Sequence, residues 1–461
     1  MRNEAWLSAM VGLLVACGSG EVVVAQPSRT VVTVGSDSGG TWVGGAPVRT
    51  DIVVGADGET FVGVWIDAPS GASAQALRRP PMSLSLVVDT SGSMAGPKIQ
   101  NARLAAQSFL ENVADGDIVS VFAFANGVSP LAPPTVVGPA TRNRLMQSVS
   151  LLRAGGGTNL HGGVDAAIAS AGSAPATHPV RRVVLISDGH ANIGPSDPGT
   201  LGILAAQGTE RAVQVSAIGV GLDYDENTLG SLAVQSSGRL YHLEQPFQLA
   251  SILESEVRLL ASTIATEAVI EIVPAPGVTI LEGVSRGAEV VRGRLRVPLG
   301  SVFAGQRRDV LFKARVDTSA PGARALATAN LVFRAPGSDA PRTQSAPLRY
   351  AVTADARAAA RSEQPRVRSM VSTYRAAEAQ RLAAVALNEG NRAEAERQFE
   401  EADRALSAGE AVAPAPQRVF LQQQRQRNSA NRRRAQEAAS PAEARGAALD
   451  SYDAALEAEG Y

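Results

Sequence analysis

Residues 83–93 read Ser-Leu-Ser-Leu-Val-Val-Asp-Thr-Ser-Gly-Ser, an apolar run that ends in a carboxylate and two hydroxyls. A short apolar run bounded by turn residues is typical of a strand that is buried on both faces. Lys98 to Val113 follows with apolar residues at helical spacing, and strands and helices then alternate to about Thr263. This alternation predicts a doubly wound, mostly parallel α/β sheet that is covered by helices on both faces.

Further segments support this α/β prediction. The pattern predicts strands at 118–124, 182–187, 213–219 and 239–243 and helices at 142–152, 162–171, 201–207, 226–234 and 247–264. We therefore expect the α/β domain to span residues 82–264, with its last helix running from Phe247 to Ile264.

The segments on either side of this domain have the two-residue period of β-strands. Predicted strands at 269–273, 294–299, 309–316 and 327–333 are separated by Gly, Pro and Ser turns, which is typical of an all-β sandwich. Residues 41–81 contain about two similar strands, too few to be stable alone. We expect 41–81 to join 265–353 in one sandwich, with the α/β domain inserted between them.

Residues 354–461 are rich in Ala, Arg, Glu and Gln and are predicted to be α-helical, with a break at Pro414 and Pro416. Within this region, Gly390 to Ala402 resembles the turn and second helix of a tetratricopeptide repeat. A stable solenoid usually needs at least about three such repeats, so an ordinary helical hairpin is an equal alternative. Six arginines and no acid lie between Arg418 and Arg434. They indicate either a basic face for a partner or anionic lipid, or a solvated helix.

Composition excludes several classes of function. At roughly 150 residues per domain, 461 residues suggest about three domains. A net charge of −1 excludes a nucleic-acid binder driven by bulk charge. The single cysteine excludes an internal disulfide and a cysteine-built zinc site, and only four histidines are present. Beyond the N-terminus no apolar run is long enough for a multi-span channel.

The first 17 residues have the pattern of an export signal. One arginine precedes an apolar stretch from Trp6 to Ala16, which is too short to span a bilayer. Leu14-Val-Ala-Cys17-Gly resembles the lipobox of bacterial lipoproteins, which implies cleavage before Cys17 and lipidation of its thiol. The alternative is an ordinary signal peptide that is cut near residues 23–25. In both cases we expect export to the cell envelope or periplasm, and residues 18–40 are predicted to be a flexible tether.

Oxygen-bearing side chains follow the predicted strands at positions where ligands bind in open α/β sheets. Asp89, Ser91 and Ser93 follow the first buried strand, Thr158 lies in Gly-Gly-Gly-Thr-Asn, and Asp188 follows another buried strand in Ser-Asp-Gly. Carboxylate and hydroxyl oxygens are hard ligands that suit Mg²⁺, Mn²⁺ or Ca²⁺. We therefore expect a divalent cation site, with Mg²⁺ as the first candidate.

Asp-x-Ser-x-Ser, Gly-Gly-Thr-Asn and Ser-Asp-Gly, in this order and on this fold, resemble the von Willebrand factor type A (VWA) domain and its metal-ion-dependent adhesion site. The resemblance implies that Ser91, Ser93 and Thr158 bind the metal directly, and that Asp89 and Asp188 act mainly through coordinated waters. The flanking sandwich is similar to that of bacterial surface or periplasmic proteins with an embedded VWA domain.

In that family the open metal position accepts a carboxylate from a protein partner. The resemblance therefore implies an adhesion or scaffold protein and not an enzyme, with opening of the site coupled to the last helix of the domain.

The same motifs also allow other interpretations. Each motif taken alone has the residues of a turn or helix cap. Asp165 and Asp223 could approach the predicted site but are not assigned to it, whereas His161, His190 and His242 are expected on the surface or in loops rather than as ligands.

An envelope assembly or stress factor that binds partners mainly through its C-terminal helices is the alternative function. A metal-dependent hydrolase is a third possibility, but the chain has no His-Glu-x-x-His, Gly-x-Ser-x-Gly or P-loop motif.

Overall fold

The structure is a computed structural model that describes residues 40–70, 79–338 and 340–461. The predicted signal peptide, the lipidation site Cys17 and residues 18–39 of the predicted tether lie outside the described residues. No helix in the described ranges is long and apolar enough to cross a membrane.

Three strands precede the α/β domain: β1 (Val43–Pro47), β2 (Asp51–Val53) and β3 (Glu59–Asp67). β1 and β3 pair with each other in one sheet, while β2 lies at the edge of another. Alternate residues of β3 are buried, including Val62, Val64 and Ile66, as expected for a strand with one face toward a core.

The α/β domain is built on a sheet with the strand order β6-β5-β4-β7-β8-β9. Five of its strands are parallel, and β6 is antiparallel to β5. All eight residues of β4 are buried, including Ser83, Ser85 and Asp89, as expected for a strand that is covered on both faces. The strands are β4 (Met82–Asp89), β5 (Ile118–Phe124), β6 (Val128–Val136), β7 (Val180–Ser187), β8 (Val213–Val220) and β9 (Leu240–Leu243).

Helices cover both faces of this sheet. On one face lie α1 (Pro97–Asn112), α2 (Pro139–Val149) and α6 (Leu249–Ala261), and on the other α3 (Leu160–Gly172), α4 (Pro198–Thr209) and α5 (Glu226–Gln235). Single 3₁₀ turns occupy Gly92–Met94 and Pro246–Gln248. The predicted doubly wound α/β fold is therefore confirmed.

The structure corrects two details of this domain. Strand β6 was not predicted, because Pro130, Pro133 and Pro134 argue against a central strand. In the structure β6 lies at the edge of the sheet. An edge strand tolerates proline, since one side of it needs no ladder hydrogen bonds. The helix predicted over 247–264 is wrong at both ends. It begins at Leu249 after a 3₁₀ turn and ends at Ala261, and Thr263, a β-branched residue, already pairs with Phe303.

The chain then completes the β-sandwich. One sheet has the order β1-β3-β14-β11 and the other β12-β13-β10-β15-β16-β2. Apolar residues from both sheets form one buried cluster. Val64 of β3 pairs with Val310 of β14, and Ile52 of β2 with Val352 of β16, so segments before and after the α/β domain share this core. The strands are β10 (Thr263–Pro274), β11 (Thr279–Gly283), β12 (Glu289–Val291), β13 (Arg294–Phe303), β14 (Arg307–Arg315), β15 (Gly322–Arg334) and β16 (Pro341–Thr353).

The C-terminal region is helical, as predicted. After the short α7 (Ala356–Arg361) come α8 (Pro365–Asn388), α9 (Arg392–Val412), α10 (Ala415–Glu437) and α11 (Pro441–Glu459). α8 contacts α9 and α11, and α10 contacts the same two helices, which makes a four-helix bundle. Ala395, Phe399 and Ala402 are buried between helices, as in the predicted hairpin, but the hairpin closes into the bundle and does not start a solenoid.

The bundle packs against both other parts of the fold. Ala383 and Leu387 of α8 belong to the same buried cluster as Leu229 and Ala233 of α5. On the sandwich side, a Cβ at Gly63 of β3 would lie 2.8 Å from Sδ of Met370 in α8. These contacts bury part of the apolar surface of α8 against the two other parts of the fold.

The arginines of α10 are mostly paired within the chain. Ion pairs join Arg425 to Asp403, Arg427 to Asp453, Arg432 to Glu396 and Arg434 to Asp450. These four arginines therefore do not form a free basic face, although their side chains keep 31–43% of their surface exposed to solvent. The sequence of α10 contains no acid before Glu437, and the acids come from neighbouring helices in the fold.

Candidate metal centre

Asp89 is the last residue of β4, and both of its carboxylate oxygens accept hydrogen bonds. Oδ1 accepts from the backbone N–H of Ser91 at 2.8 Å, and Oδ2 accepts from the hydroxyl of Ser187 at 2.6 Å. The bond to Ser91 spans two residues, a local side-chain turn that Asp readily forms. It turns the chain at the carboxyl end of the sheet and presents Ser91 and Ser93 there.

A chain of hydroxyl contacts connects this turn with Asp188. Oγ of Ser91 and Oγ of Ser93 are 3.0 Å apart, and Ser93 Oγ donates to Oδ1 of Asp188 at 2.8 Å. Asp188 follows β7, which is adjacent to β4 in the sheet. Ser93 is exposed while both aspartates are fully buried, so the cluster opens to solvent at Ser93.

Thr158 is held at the same edge by its loop. Its N–H donates to Oδ1 of Asn192 at 2.7 Å, and the N–H of Gly92 donates to the carbonyl of Gly156 at 3.0 Å. A Cβ at Gly189 would lie 3.3 Å from Ser93 Oγ and 4.0 Å from Thr158 Oγ1. Both hydroxyls therefore border the same small space, and a side chain at 189 would fill it.

The structure thus brings the predicted residues Asp89, Ser91, Ser93, Thr158 and Asp188 to one edge of the sheet. In the described ranges no group of three or more His, Cys, Asp or Glu residues is placed to hold a metal ion. The set contains only hydroxyl and carboxylate oxygens, the donors that hard divalent cations prefer. The residues present therefore fit such a cation.

Two buried carboxylates close together are electrostatically unfavourable without a cation. Burial raises the pKa of Asp89 above its ordinary value, and the charge of Asp188 raises it further, although hydrogen bonds from Ser187 and Ser91 act in the opposite direction. Nζ of Lys98 lies 2.5 Å from Oδ2 of Asp188 and supplies positive charge at this edge.

Sequence reasoning missed two residues of this site. Lys98 contacts Asp188, and Ser187 contacts Asp89. Lys98 is one of only two lysines in the chain and lies in the first turn of the helix after the Asp-x-Ser-x-Ser motif, a signal that was available. Ser187 directly precedes Asp188, but its contact with Asp89 depends on the pairing of β4 with β7.

The other candidates have different positions. Asp165 is on the exposed side of α3, while Asp223 lies 3.8 Å from Lys98 Nζ and so borders the site. His190 is exposed and His161 half-buried. The expectation for His242 is wrong, because its side chain lies in strand β9, is 5% exposed and contacts the hydroxyl of Tyr224.

An open parallel sheet with oxygen ligands at the carboxyl ends of its strands defines a class of α/β ligand-binding domain. Residues 84–190 match the family model of the von Willebrand factor type A domain. The chain therefore contains a VWA domain. VWA domains generally mediate protein–protein interaction or adhesion and commonly bind a divalent metal.

Similar proteins agree with this assignment. A von Willebrand factor type A structure from Catenulispora acidiphila has a TM-score of 0.72 at 16% identity and covers 91% of this chain and 98% of that one, which shows the fold. An uncharacterized protein of Synechocystis sp. is 24% identical over 284 residues, 59% of this chain and 66% of that protein. Inter-alpha-trypsin inhibitor heavy chain H3 of Mesocricetus auratus is 27% identical over 197 residues, 41% of this chain. The chain spans 66% of the length of the first relative and 22% of the second.

Proposed function

We propose that this chain is an exported binding protein of the cell envelope that captures a protein partner through a divalent cation. Mg²⁺ is the first candidate ion, and a carboxylate of the partner is the ligand that completes its coordination. The observation that carries this proposal is the connected set of Asp89, Ser91, Ser93 and Asp188 at the sheet edge, with Thr158 beside it.

In this proposal the residues of the chain have separate tasks. The hydroxyls of Ser91, Ser93 and Thr158 would hold the cation directly, while Asp89 and Asp188 would orient coordinated waters. Mg²⁺ prefers six oxygen ligands, which leaves a position open toward solvent beside Ser93. The bound cation supplies positive charge that attracts a carboxylate, and the role is binding and not catalysis.

Calorimetric titration of the full chain with Mg²⁺, Mn²⁺ and Ca²⁺ tests the cation site. We expect one ion per chain in the wild type and loss of binding in Asp89→Asn and Ser93→Ala. Ser255→Ala, an exposed serine on α6, is the matched control and should bind as the wild type does. No binding by the wild type, or equal binding by all variants, would contradict the proposal.

The partner side is tested with short peptides that carry a single Asp or Glu. Binding should require Mg²⁺ or Mn²⁺, disappear with a chelator, and be absent for the matching Asn or Gln peptide. Hydrolysis of a peptide that stops in Asp89→Asn would instead favour the hydrolase that the sequence left open.

Attachment to a membrane is proposed through lipidation of Cys17. Two or more acyl chains would make such attachment stable. In a bacterial host, labelled palmitate should enter the wild-type chain and the Ser19→Ala control but not Cys17→Ser. Equal labelling of Cys17→Ser would contradict lipid anchoring.

The alternative function, partner binding through the C-terminal helices, is supported by one feature of α8. Leu382 and Val385 are about half exposed and lie three residues apart, on one side of the helix. If this surface is the main binding site, Leu382→Ser with Val385→Ser abolishes partner binding while Ser93→Ala retains it. The reverse result favours the metal site.

A further inference from the structure

The ammonium of Lys98 lies where it neutralises one carboxylate of the candidate metal site. Its Nζ is 2.5 Å from Oδ2 of Asp188, while Oδ1 of the same carboxylate accepts the hydroxyl of Ser93. Asp188 is fully buried and the Lys98 side chain is 21% exposed. A buried carboxylate without a counter-charge is costly, so Lys98 stabilises the metal-free site.

This arrangement also opposes binding of a metal. A divalent cation near Ser91, Ser93 and Thr158 would be close to the Lys98 ammonium, because Ser93 and Lys98 contact the two oxygens of one carboxylate. Like charges at such separations repel by several times the thermal energy near a protein surface. Lys98 must therefore move away, or the site must accept the cation with a lower affinity.

A second carboxylate that could pair with the Lys98 ammonium is present in the fold. Oδ2 of Asp223 lies 3.8 Å from Lys98 Nζ, and the Asp223 side chain is 80% exposed. Gly221 lies directly beside the lysine, because a Cβ there would be in ordinary contact with Nζ at 3.5 Å. A small rotation of the flexible side chain would move the charge from Asp188 toward Asp223 and solvent.

The loop that carries Asp223 is fixed by the C-terminal bundle. Arg445 of α11 donates from Nε to the carbonyl of Leu222 at 3.2 Å and from Nη2 to the carbonyl of Tyr224 at 2.7 Å. These carbonyls flank Asp223 directly. The loop position of this second carboxylate, Asp223, is therefore fixed by helix α11, which lies far from the metal motif in the sequence.

We propose that Lys98 is a built-in counter-ion of Asp188 that competes with the divalent cation and moves to Asp223 when the cation binds. Lys98 thereby sets the metal affinity of the site. A partner carboxylate would add negative charge beside the metal and favour the metal-bound form. This inference rests on the proposed cation site and assigns Lys98 a role that the motif residues do not include.

Titration of the full chain with Mg²⁺ alone tests the competition. Lys98→Met should bind Mg²⁺ about tenfold more tightly than the wild type, or more, because the competing charge is removed. Lys98→Arg keeps the charge and should bind like the wild type. Lys313→Met removes the other lysine, which pairs with Glu59 on the sandwich, and should leave the affinity unchanged.

The pairing of Lys98 with Asp223 in the metal-bound form is tested by a double-mutant cycle. Asp223→Asn should weaken Mg²⁺ binding several-fold in the wild-type background and have a much smaller effect in the Lys98→Met background. An equal effect in both backgrounds would show that Asp223 acts on the metal directly, and would overturn the role of Asp223 as the alternative partner of Lys98.

Thermal unfolding gives a readout that does not depend on the wild-type affinity. In chelator, Lys98→Met should unfold at a lower temperature than the wild type, since Asp188 loses its counter-charge. Added Mg²⁺ should raise its midpoint by more than it raises that of the wild type. Measurable Mg²⁺ binding by the wild type with unchanged or weaker binding by Lys98→Met overturns this inference alone. No binding by either chain overturns the proposed function as well.

Discussion

Arg445 of the C-terminal bundle and Glu226 at the start of α5 form an ion pair with two parallel hydrogen bonds. Nη1 lies 2.8 Å from Oε1 and Nη2 lies 2.6 Å from Oε2. The Glu226 side chain is 6% exposed and that of Arg445 is 22% exposed. Burial raises the pKa of Glu226, but its hydrogen bonds and charge interaction with Arg445 outweigh this effect and lower it overall. This pair joins the bundle to the VWA domain.

Arg445→Met should destabilise the protein by about 2–4 kcal/mol, somewhat less than the roughly 3–5 kcal/mol for a fully buried pair, because Arg445 keeps some contact with solvent. The control is Arg433→Met, an exposed arginine on α10, for which we expect a change within about 0.5 kcal/mol. Urea unfolding of the full chain measures both. Equal midpoints for the two variants would show that the ion pair contributes nothing to the contact.

A second buried pair holds the last helix of the VWA domain to its sheet. Oε1 of Glu256 on α6 lies 3.7 Å from Nε of Arg182 on β7 and accepts from the hydroxyl of Ser216 at 2.6 Å. Its Oε2 accepts from the hydroxyl of Tyr241 at 2.6 Å. Burial lowers the pKa of Arg182, whereas the charge of Glu256 acts to raise it.

Glu256→Gln should destabilise the protein by about 3–5 kcal/mol, because the Arg182 charge stays buried without its counter-charge. Glu254→Gln on the same helix is the control. It should lower the free energy of unfolding by less than about 1 kcal/mol, because Glu254 is partly exposed. Replacing both partners, in Arg182→Met with Glu256→Leu, should restore part of the loss. A double variant that is as unstable as Glu256→Gln would argue against this explanation.

His242 should make stability depend on pH. Burial lowers its pKa below 6.5, although Asp450 and Glu244 act to raise it. Since the folded-state pKa lies below the unfolded one, the neutral imidazole stabilises the fold above about pH 6.5, and this contribution is lost as the pH falls through the folded-state pKa. Each unit of lowering corresponds to about 1.4 kcal/mol.

Unfolding midpoints between pH 7.5 and 5 measure this effect. The midpoint of His242→Gln should fall less over this interval than that of the wild type. His190→Gln, which changes an exposed histidine, should keep the wild-type slope. If His242→Gln has the wild-type slope too, His242 is protonated as easily in the fold as in the unfolded chain.

Gly219 of β8 should not tolerate a side chain. A Cβ there would lie 2.4 Å from Cε1 and Cζ of Tyr224, whose ring is fully buried. Gly219→Ala should therefore destabilise the protein by about 1–3 kcal/mol through overpacking. Gly127→Ala in the β5–β6 turn meets no atom within 4 Å and should change the free energy of unfolding by less than about 0.5 kcal/mol. Thermal unfolding of the pair, in chelator, checks the difference.

Much of the fold could be predicted from local patterns. β4 and β7 each contain a short apolar run, at residues 86–88 and 183–186, and the helices between them have helical spacing of apolar residues, so that both types of element were visible. β6 was not visible, because its prolines argue against a strand and only its edge position accommodates them. The end of α6 at Ala261 was also missed, since Thr263 is drawn into the sandwich by pairing with Phe303.

Most residues of the candidate site could likewise be predicted from the sequence, but not all of them. Asp89, Ser91, Ser93, Thr158 and Asp188 were predicted because each follows a recognisable strand or glycine-rich loop, and parallel strands bring their carboxyl ends to one edge. Lys98 was missed as a functional residue, because its rarity and its place after the motif do not show that its ammonium reaches Asp188, which is 90 positions away in the chain.

The sequence by itself indicated the alternation of strands and helices in the α/β domain, the β-rich segments on both sides of it, and the oxygen-bearing residues at the strand ends, because these depend on periodicity and spacing along the chain. Only the tertiary structure decided that Lys98 neutralises Asp188, that Arg445 fixes the loop of Asp223, and that the arginines of α10 are paired within the bundle. Such contacts join residues tens to hundreds of positions apart, and a charge has no partner in the sequence until packing brings one within reach.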